Sequence, residues 1–292
     1  LGDSFASGEG AFGYKSITDN PSNMCHVSLL SYPFLVGDEL NKEKYESIAC
    51  SGAKLEDVYQ IKSDDYEGQQ DVSEDGIREI DRDLSFFVNN LLPGKLTQNI
   101  YIDLLNPEAI TISIGGNDIG FGDKITNCVG NPINTTCFDT YEERAEAVLE
   151  ISGIVPDLTT TYTKLKGDNR RVYVIGYPQI VAVNGNCANN VKLNEREVEF
   201  AVTLTSLLND AVETAAKKAG VVYVDVEEIL SGRRLCETTS DNTLVHGITQ
   251  GNDSGLWVVK FLAKESFHPK LAAHELYKNA ILEQTLNLTK PM

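Results

Sequence analysis

The chain has 292 residues, of which 41% are apolar, and it carries a formal net charge of −18 at pH 7. This length and apolar content suffice for a sizeable core, and no linker rich in Pro, Ser or Gly divides the sequence, so residues 1–292 are predicted to form a single domain. The negative charge repels phosphate backbones, and no apolar run approaches the roughly 18 residues of a transmembrane helix, so neither a nucleic-acid partner nor an integral membrane segment is expected.

The first half of the chain contains two strand patterns and one helical pattern. Tyr45–Ala49 is a short and weak strand candidate, whereas Ala109–Ile114 is a nearly continuous run rich in β-branched residues, as in a buried parallel strand. The acidic segment Ser63–Gly76 lacks the spacing of an EF-hand, so we predict a solvated loop rather than a calcium site. Tyr141–Leu165 predicts a long helical region that a glycine and a proline interrupt.

The second half repeats the alternation of strand and helix. Arg171–Gly176 and Val221–Val226 have the same β-branched pattern, and between them Val198–Ala215 places apolar residues at three- and four-residue steps, as one face of a helix does. After the long polar loop Gly232–Gly255, the segment Lys270–Leu286 predicts the last helix. Strands that alternate with helices indicate the α/β class, here a three-layer α/β/α sandwich with a central parallel sheet.

Six cysteines indicate the compartment in which the protein folds. They do not form a C-x-x-C pair, which argues against a zinc ribbon, and they are Cys25, Cys50, Cys128, Cys137, Cys187 and Cys236. An even number fits three disulfides, although six cysteines allow 15 pairings. If disulfides form, the protein is exported, and the alternative is six buried thiols in a cytosolic protein.

Two glycine-containing turns offer groups that acyl transfer uses. In Gly2-Asp3-Ser4, the hydroxyl of Ser4 is a candidate nucleophile if a base lies near it, although such a tripeptide alone is more often an ordinary turn. In Ala49–Ala53, Gly52 has no side chain to obstruct its backbone N–H, which can then face an oxyanion. By itself Gly52 is also typical of a turn.

Two further blocks supply an amide and an imidazole. Gly115-Gly116-Asn117-Asp118 follows a predicted strand, so Asn117 can aim its side-chain NH₂ into a cleft, and Asn117 or Asp118 can cap the next helix. In Glu265-Ser266-Phe267-His268-Pro269, the proline favours an extended backbone at His268 and distinguishes it from the other three histidines. A lone histidine at such a place is more often a surface residue.

The order and context of these four blocks resemble the SGNH (GDSL) hydrolase family, and especially its secreted bacterial esterases and lipases with three disulfides. The resemblance implies that Ser4 is the nucleophile, that His268 is the general base, and that no metal or organic cofactor is needed. It implies an oxyanion hole made by the N–H of Ser4, the N–H of Gly52 and the side chain of Asn117. It also implies the disulfides Cys25–Cys50, Cys128–Cys137 and Cys187–Cys236.

The sequence departs from the family pattern at two places. Many members have Asp three residues before the histidine, where this chain has Glu265. We expect Glu265 to assist His268 through its main-chain carbonyl or its carboxylate, and we favour the carbonyl because the longer Glu side chain is harder to fold back onto a residue so near in sequence. The family's first central strand is expected before Leu1.

These observations predict a secreted or cell-surface serine esterase or lipase that acts as a monomer on small-molecule or lipid esters. A phospholipase or a carbohydrate deacetylase would use the same site and remains an alternative. Because fold does not guarantee function, a non-catalytic surface binding module is the alternative from another class.

Overall fold

The computed structural model describes most of the chain. The described residues are 1–59, 90–130, 137–138, 140–183, 185, 187, 191, 193–238, 240–249 and 263–287. The acidic segment predicted to be a solvated loop, Ser63–Gly76, lies outside them, as does the end of the polar loop Gly232–Gly255. Within the described part, no helix combines the length and the apolar character that crossing a membrane requires.

The centre of the fold is a parallel sheet. Its strands are β1 (Ala109–Ile112), β2 (Arg171–Ile175) and β3 (Val222–Val224), and they lie in the order β1-β2-β3. Ile110 pairs with Val172 and Val174 pairs with Tyr223, which sets the register across the sheet. The three predicted strong strands are therefore confirmed, each shortened by one to three residues.

The beginning of the chain lies along the free edge of β1. The nitrogen of Leu1 donates to the carbonyl of Thr111 at 2.8 Å, and Gly2 forms a parallel bridge with Ser113. On the far side of Gly2, the N–H of Cys50 donates to the Gly2 carbonyl at 3.0 Å. The weak candidate Tyr45–Ala49 forms no strand, because this short edge offers its segment little more than that one backbone hydrogen bond.

Helices surround the sheet, and capping residues fix several of their ends. The helical bounds are α1 (Ser4–Ser7), α2 (Tyr32–Glu39), α3 (Leu55–Val58), α4 (Gln98–Leu105), α5 (Phe121–Gly130), α6 (Tyr141–Gly153), α7 (Val155–Lys166), α8 (Glu195–Ala219) and α9 (Leu271–Asn287). The region predicted at Tyr141–Leu165 is two helices, with Pro156 in the first turn of the second. Asn194 caps the start of α8, and Gly220 ends it in a left-handed conformation.

The two faces of the sheet are covered by different helices, which gives the predicted three-layer α/β/α sandwich. One face packs against α7 and α8, and its buried side chains include Ile112, Val174, Leu158, Leu204 and Leu208. The other face packs against α2 and α9, with Ile175, Val224, Tyr32, Tyr277 and Ile281 buried between the layers. Adjacent residues of β2 point to opposite faces, as expected for a strand covered on both sides.

Three disulfides connect the loops around this sandwich. They join Cys25 to Cys50, Cys128 to Cys137, and Cys187 to Cys236, which are the pairs that the family resemblance implies. Among the described residues no cysteine is free. The first bond lies directly before the segment of Gly52, so it attaches that loop to the chain near the start of the protein.

Candidate active site

Ser4 lies at the junction between the sheet edge and α1. Gly2 has a φ of +126°, and a Cβ there would approach the carbonyl oxygen of Ser113 to 2.1 Å, so only glycine permits this close pairing. The Asp3 carboxylate then caps α1 by accepting the N–H of Phe5 at 3.0 Å. The hydroxyl of Ser4 is consequently presented at a tight turn that the sheet holds in place.

His268 meets Ser4 across the longest sequence separation in the site. Its Nε2 is 2.8 Å from the Ser4 Oγ, although the two residues are 264 positions apart. The backbone around the histidine is held by two hydrogen bonds with His246, one in each direction, both 3.0 Å long. Phe267 has a left-handed φ of 63°, which turns the chain so that the imidazole reaches the hydroxyl.

The second nitrogen of the imidazole faces a main-chain oxygen. His268 Nδ1 lies 3.1 Å from the carbonyl oxygen of Ser266. The carbonyl of Glu265 instead accepts the backbone N–H of His268 at 3.0 Å. The contact predicted for the Glu265 carbonyl is thus made by the carbonyl of Ser266, because the tight turn at Phe267 places the carbonyl two residues before the histidine next to Nδ1.

The environment of His268 favours its neutral form. Burial lowers the pKa of His268 below its ordinary value, while the negative charge of Glu9 and the carbonyl of Ser266 act in the opposite direction. A neutral imidazole at neutral pH can accept a proton at Nε2 while its Nδ1–H donates to the carbonyl. This arrangement suits a general base.

The segments of Gly52 and Asn117 are connected to each other. The Asn117 side-chain nitrogen donates to the carbonyl of Ala53 at 3.0 Å, and the Asp118 carboxylate accepts the N–H of Leu55 at 3.1 Å. The residues on either side of Gly52 donate their N–H groups to Cys25 and Cys50 carbonyls. Among the described residues, the N–H groups of Ser4 and Gly52 have no such acceptor, which leaves them available to a bound oxygen.

Asp3 links the nucleophile turn to the segment of Asn117 through Tyr177. The Tyr177 hydroxyl donates to Asp3 Oδ2 at 2.5 Å and accepts the N–H of Gly116 at 3.1 Å. Burial raises the pKa of Asp3 to about 7, against the lowering effect of the hydrogen bonds from Tyr177 and Phe5. No sequence pattern predicted a role for Asp3 or Tyr177, and only the position of Asp3 beside the candidate nucleophile hinted at one.

Glu9 is a second buried group near the site that no sequence pattern predicted. Its side chain is 2% exposed and its Oε2 lies 2.6 Å from His26 Nδ1. The signals available in the sequence were the place of Glu9 five residues after Ser4 and the place of His26 beside Cys25.

Among the described residues, the acidic and sulfur groups close enough to share a metal are Cys128, Cys137 and Glu197, and both sulfurs are joined in a disulfide.

Comparisons with known proteins identify the family and the fold of the chain. The model of the GDSL-like Lipase/Acylhydrolase family matches residues 1–276. Lipase 1 of Streptomyces coelicolor (strain ATCC BAA-471 / A3(2) / M145) is 27% identical over 274 residues, covering 93% of this chain and 80% of that protein. The crystal structure of an extracellular lipase from Streptomyces rimosus has the same fold, with a TM-score of 0.66, 22% identity and 97% of each chain covered. Phospholipase A1 from Streptomyces albidoflavus NA297 also shares it, with a TM-score of 0.63, 22% identity, and 97% of this chain and 96% of that one covered.

Proposed function

The chain belongs to the GDSL-like lipase/acylhydrolase family and is a carboxylic ester hydrolase, and from this premise we propose that Ser4 and His268 carry its reaction as a nucleophile and a general base. The observation that carries the proposal is the contact of 2.8 Å between Ser4 Oγ and His268 Nε2. A serine hydroxyl is a weak nucleophile until a neighbouring base accepts its proton, and the imidazole is within hydrogen-bond reach.

In the first half of the reaction, Ser4 Oγ attacks the ester carbonyl carbon while its proton passes to His268 Nε2. The resulting imidazolium donates from Nδ1 to the Ser266 carbonyl, which lies 3.1 Å away. When the ester C–O bond breaks, the same proton moves from Nε2 to the leaving alkoxide. Water then attacks the acyl-enzyme by the reverse sequence, releasing the acid and restoring the Ser4 hydroxyl.

The charge that develops on the carbonyl oxygen needs fixed donors. The N–H groups of Ser4 and Gly52 and the second side-chain hydrogen of Asn117 supply them in the proposed site. The hydrogen bond from Asn117 to Ala53 holds the amide beside the segment of Gly52. Donors that are fixed before the reaction cost little reorganisation when the oxyanion forms.

One aromatic ring beside the base, and a second beside the neighbouring His246, favour an ester with an apolar acyl group as the substrate. The Phe5 ring lies 5.6 Å from the His268 ring, and the Phe12 ring lies 5.5 Å from the ring of His246. Phe12 is 52% exposed and has a left-handed φ of 58°, a costly conformation for an aromatic residue that displays its ring to solvent. The family names and relatives include lipases, and three disulfides support an extracellular location.

The nucleophile is tested by Ser4→Ala with Ser7→Ala as the matched control. Ser7 lies on the same short helix, and its hydroxyl donates to the Ser4 carbonyl at 3.3 Å. We expect Ser4→Ala to abolish both hydrolysis of a nitrophenyl ester and labelling by a fluorophosphonate, and Ser7→Ala to retain labelling. Hydrolysis by folded Ser4→Ala within roughly tenfold of the parent would identify another nucleophile.

The same assay separates the substrate classes. A series of nitrophenyl esters should show higher kcat/KM for medium-length acyl chains than for acetate. A preference for acetylated sugars would instead indicate a deacetylase, and release of fatty acid from phospholipid alone would indicate a phospholipase. A parent protein that neither labels nor turns over any ester would be a binding module.

A further inference from the structure

Glu9 is a buried carboxylate that the proposed mechanism does not use. It is 2% exposed and lies between two glycines, five residues after Ser4. His26 Nδ1 approaches its Oε2 to 2.6 Å, and the Tyr14 hydroxyl donates to its Oε1 at 3.1 Å. The hydroxyl of Ser51 also hydrogen-bonds to it. One carboxylate therefore connects the segment after the nucleophile with the loop that contains Gly52.

The chain at Glu9 packs directly against the segment of the catalytic base. The next residue, Gly10, has a φ of +85°, and a Cβ there would lie 3.1 Å from the Cβ of His268 and 2.9 Å from the Pro269 carbonyl. The Gly10 carbonyl is 2.8 Å from His246 Nε2. These contacts leave no room for a side chain between the Glu9 segment and His268.

Glu9 and His268 each shift the pKa of the other. Burial alone would raise the pKa of Glu9, but the hydrogen bond from His26 and the attraction to His268 and His26 in their protonated forms hold that pKa below its ordinary value. The charge of Glu9 in turn opposes the effect of burial on the pKa of His268. A buried carboxylate that stays ionised exerts a strong field, because little water screens it.

Other groups around His268 and Glu9 modulate this interaction. His246 lowers the pKa of His268, and the carbonyls of Ser266 and Lys264 raise it. Burial lowers the pKa of His246 below its ordinary value, and the charge of Glu265 acts in the opposite direction. On the other side of the His26 ring, Asp19 Oδ1 lies 3.5 Å from His26 Nε2. Among the causes that raise the pKa of His268, Glu9 is the largest.

We propose that Glu9 is the acidic positioning residue of this site: it holds the Ser51 loop and stabilises the positive charge that His268 acquires when it removes the proton of Ser4. The inference rests on the proposed Ser4–His268 pair. It assigns to Glu9, through space, the electrostatic role that an aspartate three residues before the histidine has in the family pattern. His26 keeps the carboxylate ionised by donating to it.

The test compares two substitutions that should move the acid limb of the kcat/KM profile in opposite directions. Glu9→Gln keeps the size of the side chain and removes its charge, so the limb should move to lower pH by about one unit and kcat on the plateau should fall about tenfold. His26→Asn retains a donor and tolerates the left-handed φ of 48° at this position. It leaves the Glu9 charge less neutralised, so the limb should move to higher pH.

Glu197→Gln is the matched control, since Glu197 is a buried carboxylate that accepts the N–H of Asn194 at 2.8 Å at the start of α8. The acid limb of the kcat/KM profile of Glu197→Gln should coincide with that of the parent protein. Unchanged limbs in Glu9→Gln and His26→Asn, with activity that still requires Ser4, would overturn the role of Glu9 alone. If Glu9→Gln does not fold, an unmoved limb in His26→Asn is sufficient to overturn it. Parent activity that does not require Ser4 would overturn the proposed function itself.

Discussion

The Nδ1 of His268 contacts the main-chain carbonyl oxygen of Ser266, and any amino acid at position 266 would supply that oxygen. The Glu265 carbonyl is engaged by the N–H of His268, so neither of its expected roles toward the imidazole is needed for this geometry. We therefore expect Glu265→Gln to lower kcat/KM by less than about tenfold, or about 1.4 kcal/mol in the barrier. Steady-state kinetics at the optimum pH measure this. A loss of about a hundredfold with an unchanged circular dichroism spectrum would show that the carboxylate acts as a triad member.

Asn117 illustrates a side chain with two hydrogens and two roles. One hydrogen reaches the Ala53 carbonyl, and the proposed role of the other is to stabilise the oxyanion. Asn117→Ala should lower kcat by about 10²–10³ with little change in KM, since this donor is used most in the transition state. The values of kcat and KM measured on one nitrophenyl ester distinguish a role in the transition state from a role in substrate binding. A rise in KM at constant kcat would place Asn117 in substrate binding.

Some of these residue roles were accessible from sequence and others were not. Ser4 and His268 stand in blocks whose order resembles a known family, so their proximity could be predicted without any distance. The contact of His268 with the carbonyl of Ser266 rather than that of Glu265 depends on the left-handed turn at Phe267, which no local sequence pattern predicts. The burial of Glu9 depends on His26 and Ser51, which arrive from other parts of the chain.

At the scale of elements, the junction of the sheet edge with α1 has a titratable group at its centre. The pKa of Asp3 is raised to about 7 in the folded protein from an ordinary value of 3.8. At this carboxyl the folded state therefore binds more protons than the unfolded state between these two values, and the contribution of Asp3 to stability falls as the pH rises from about 4 to about 7. Burial also raises the pKa of Asp118, to about 6, which adds to the same trend.

Asp3→Asn should remove most of this loss, because an amide does not ionise. The free energy of unfolding of the parent should fall by up to about 4 kcal/mol more than that of the variant between pH 4 and pH 8, at about 1.4 kcal/mol per pKa unit. Urea titrations at both pH values measure it. Asp118→Asn is the control and should remove a smaller part. Equal slopes in the parent and Asp3→Asn would mean that Asp3 ionises normally.

The elements that the sequence predicted well are those with local signals. The break between α6 and α7 follows from Gly153 and Pro156, the glycine and the proline that interrupt the predicted helical region. Tyr45–Ala49 was misjudged because a strand exists only when a neighbouring strand pairs with it, and its neighbour here is the short edge at Gly2. Pairing of that kind is a property of the whole sheet rather than of one segment.

At the scale of the whole molecule, the three disulfides act on different parts of the fold. The loop closed by Cys187–Cys236 has a sequence separation of 49, and that of Cys128–Cys137 has a separation of 9. The chain-entropy relation gives about 4 kcal/mol of stabilisation for the longer loop and about 2.5 kcal/mol for the shorter. Cys25–Cys50, with a separation of 25, falls between them.

Stability and activity should therefore rank these bonds differently. The carbonyls of Cys25 and Cys50 accept the N–H groups of Ser51 and Ala53, so this bond holds the segment that presents Gly52. Replacing both of its cysteines by Ser should reduce kcat by tenfold or more, as expected when an oxyanion donor is displaced. The same change at Cys187 and Cys236 should cause the larger loss in the urea midpoint while kcat of the folded fraction stays within about threefold of the parent. The Cys128 and Cys137 pair, with the shortest loop, should change both quantities least. If the effects on kcat followed the order of the loop lengths, the first disulfide would have no special relation to the site, and the position of Gly52 would depend instead on the contacts of Asn117 and Ser51.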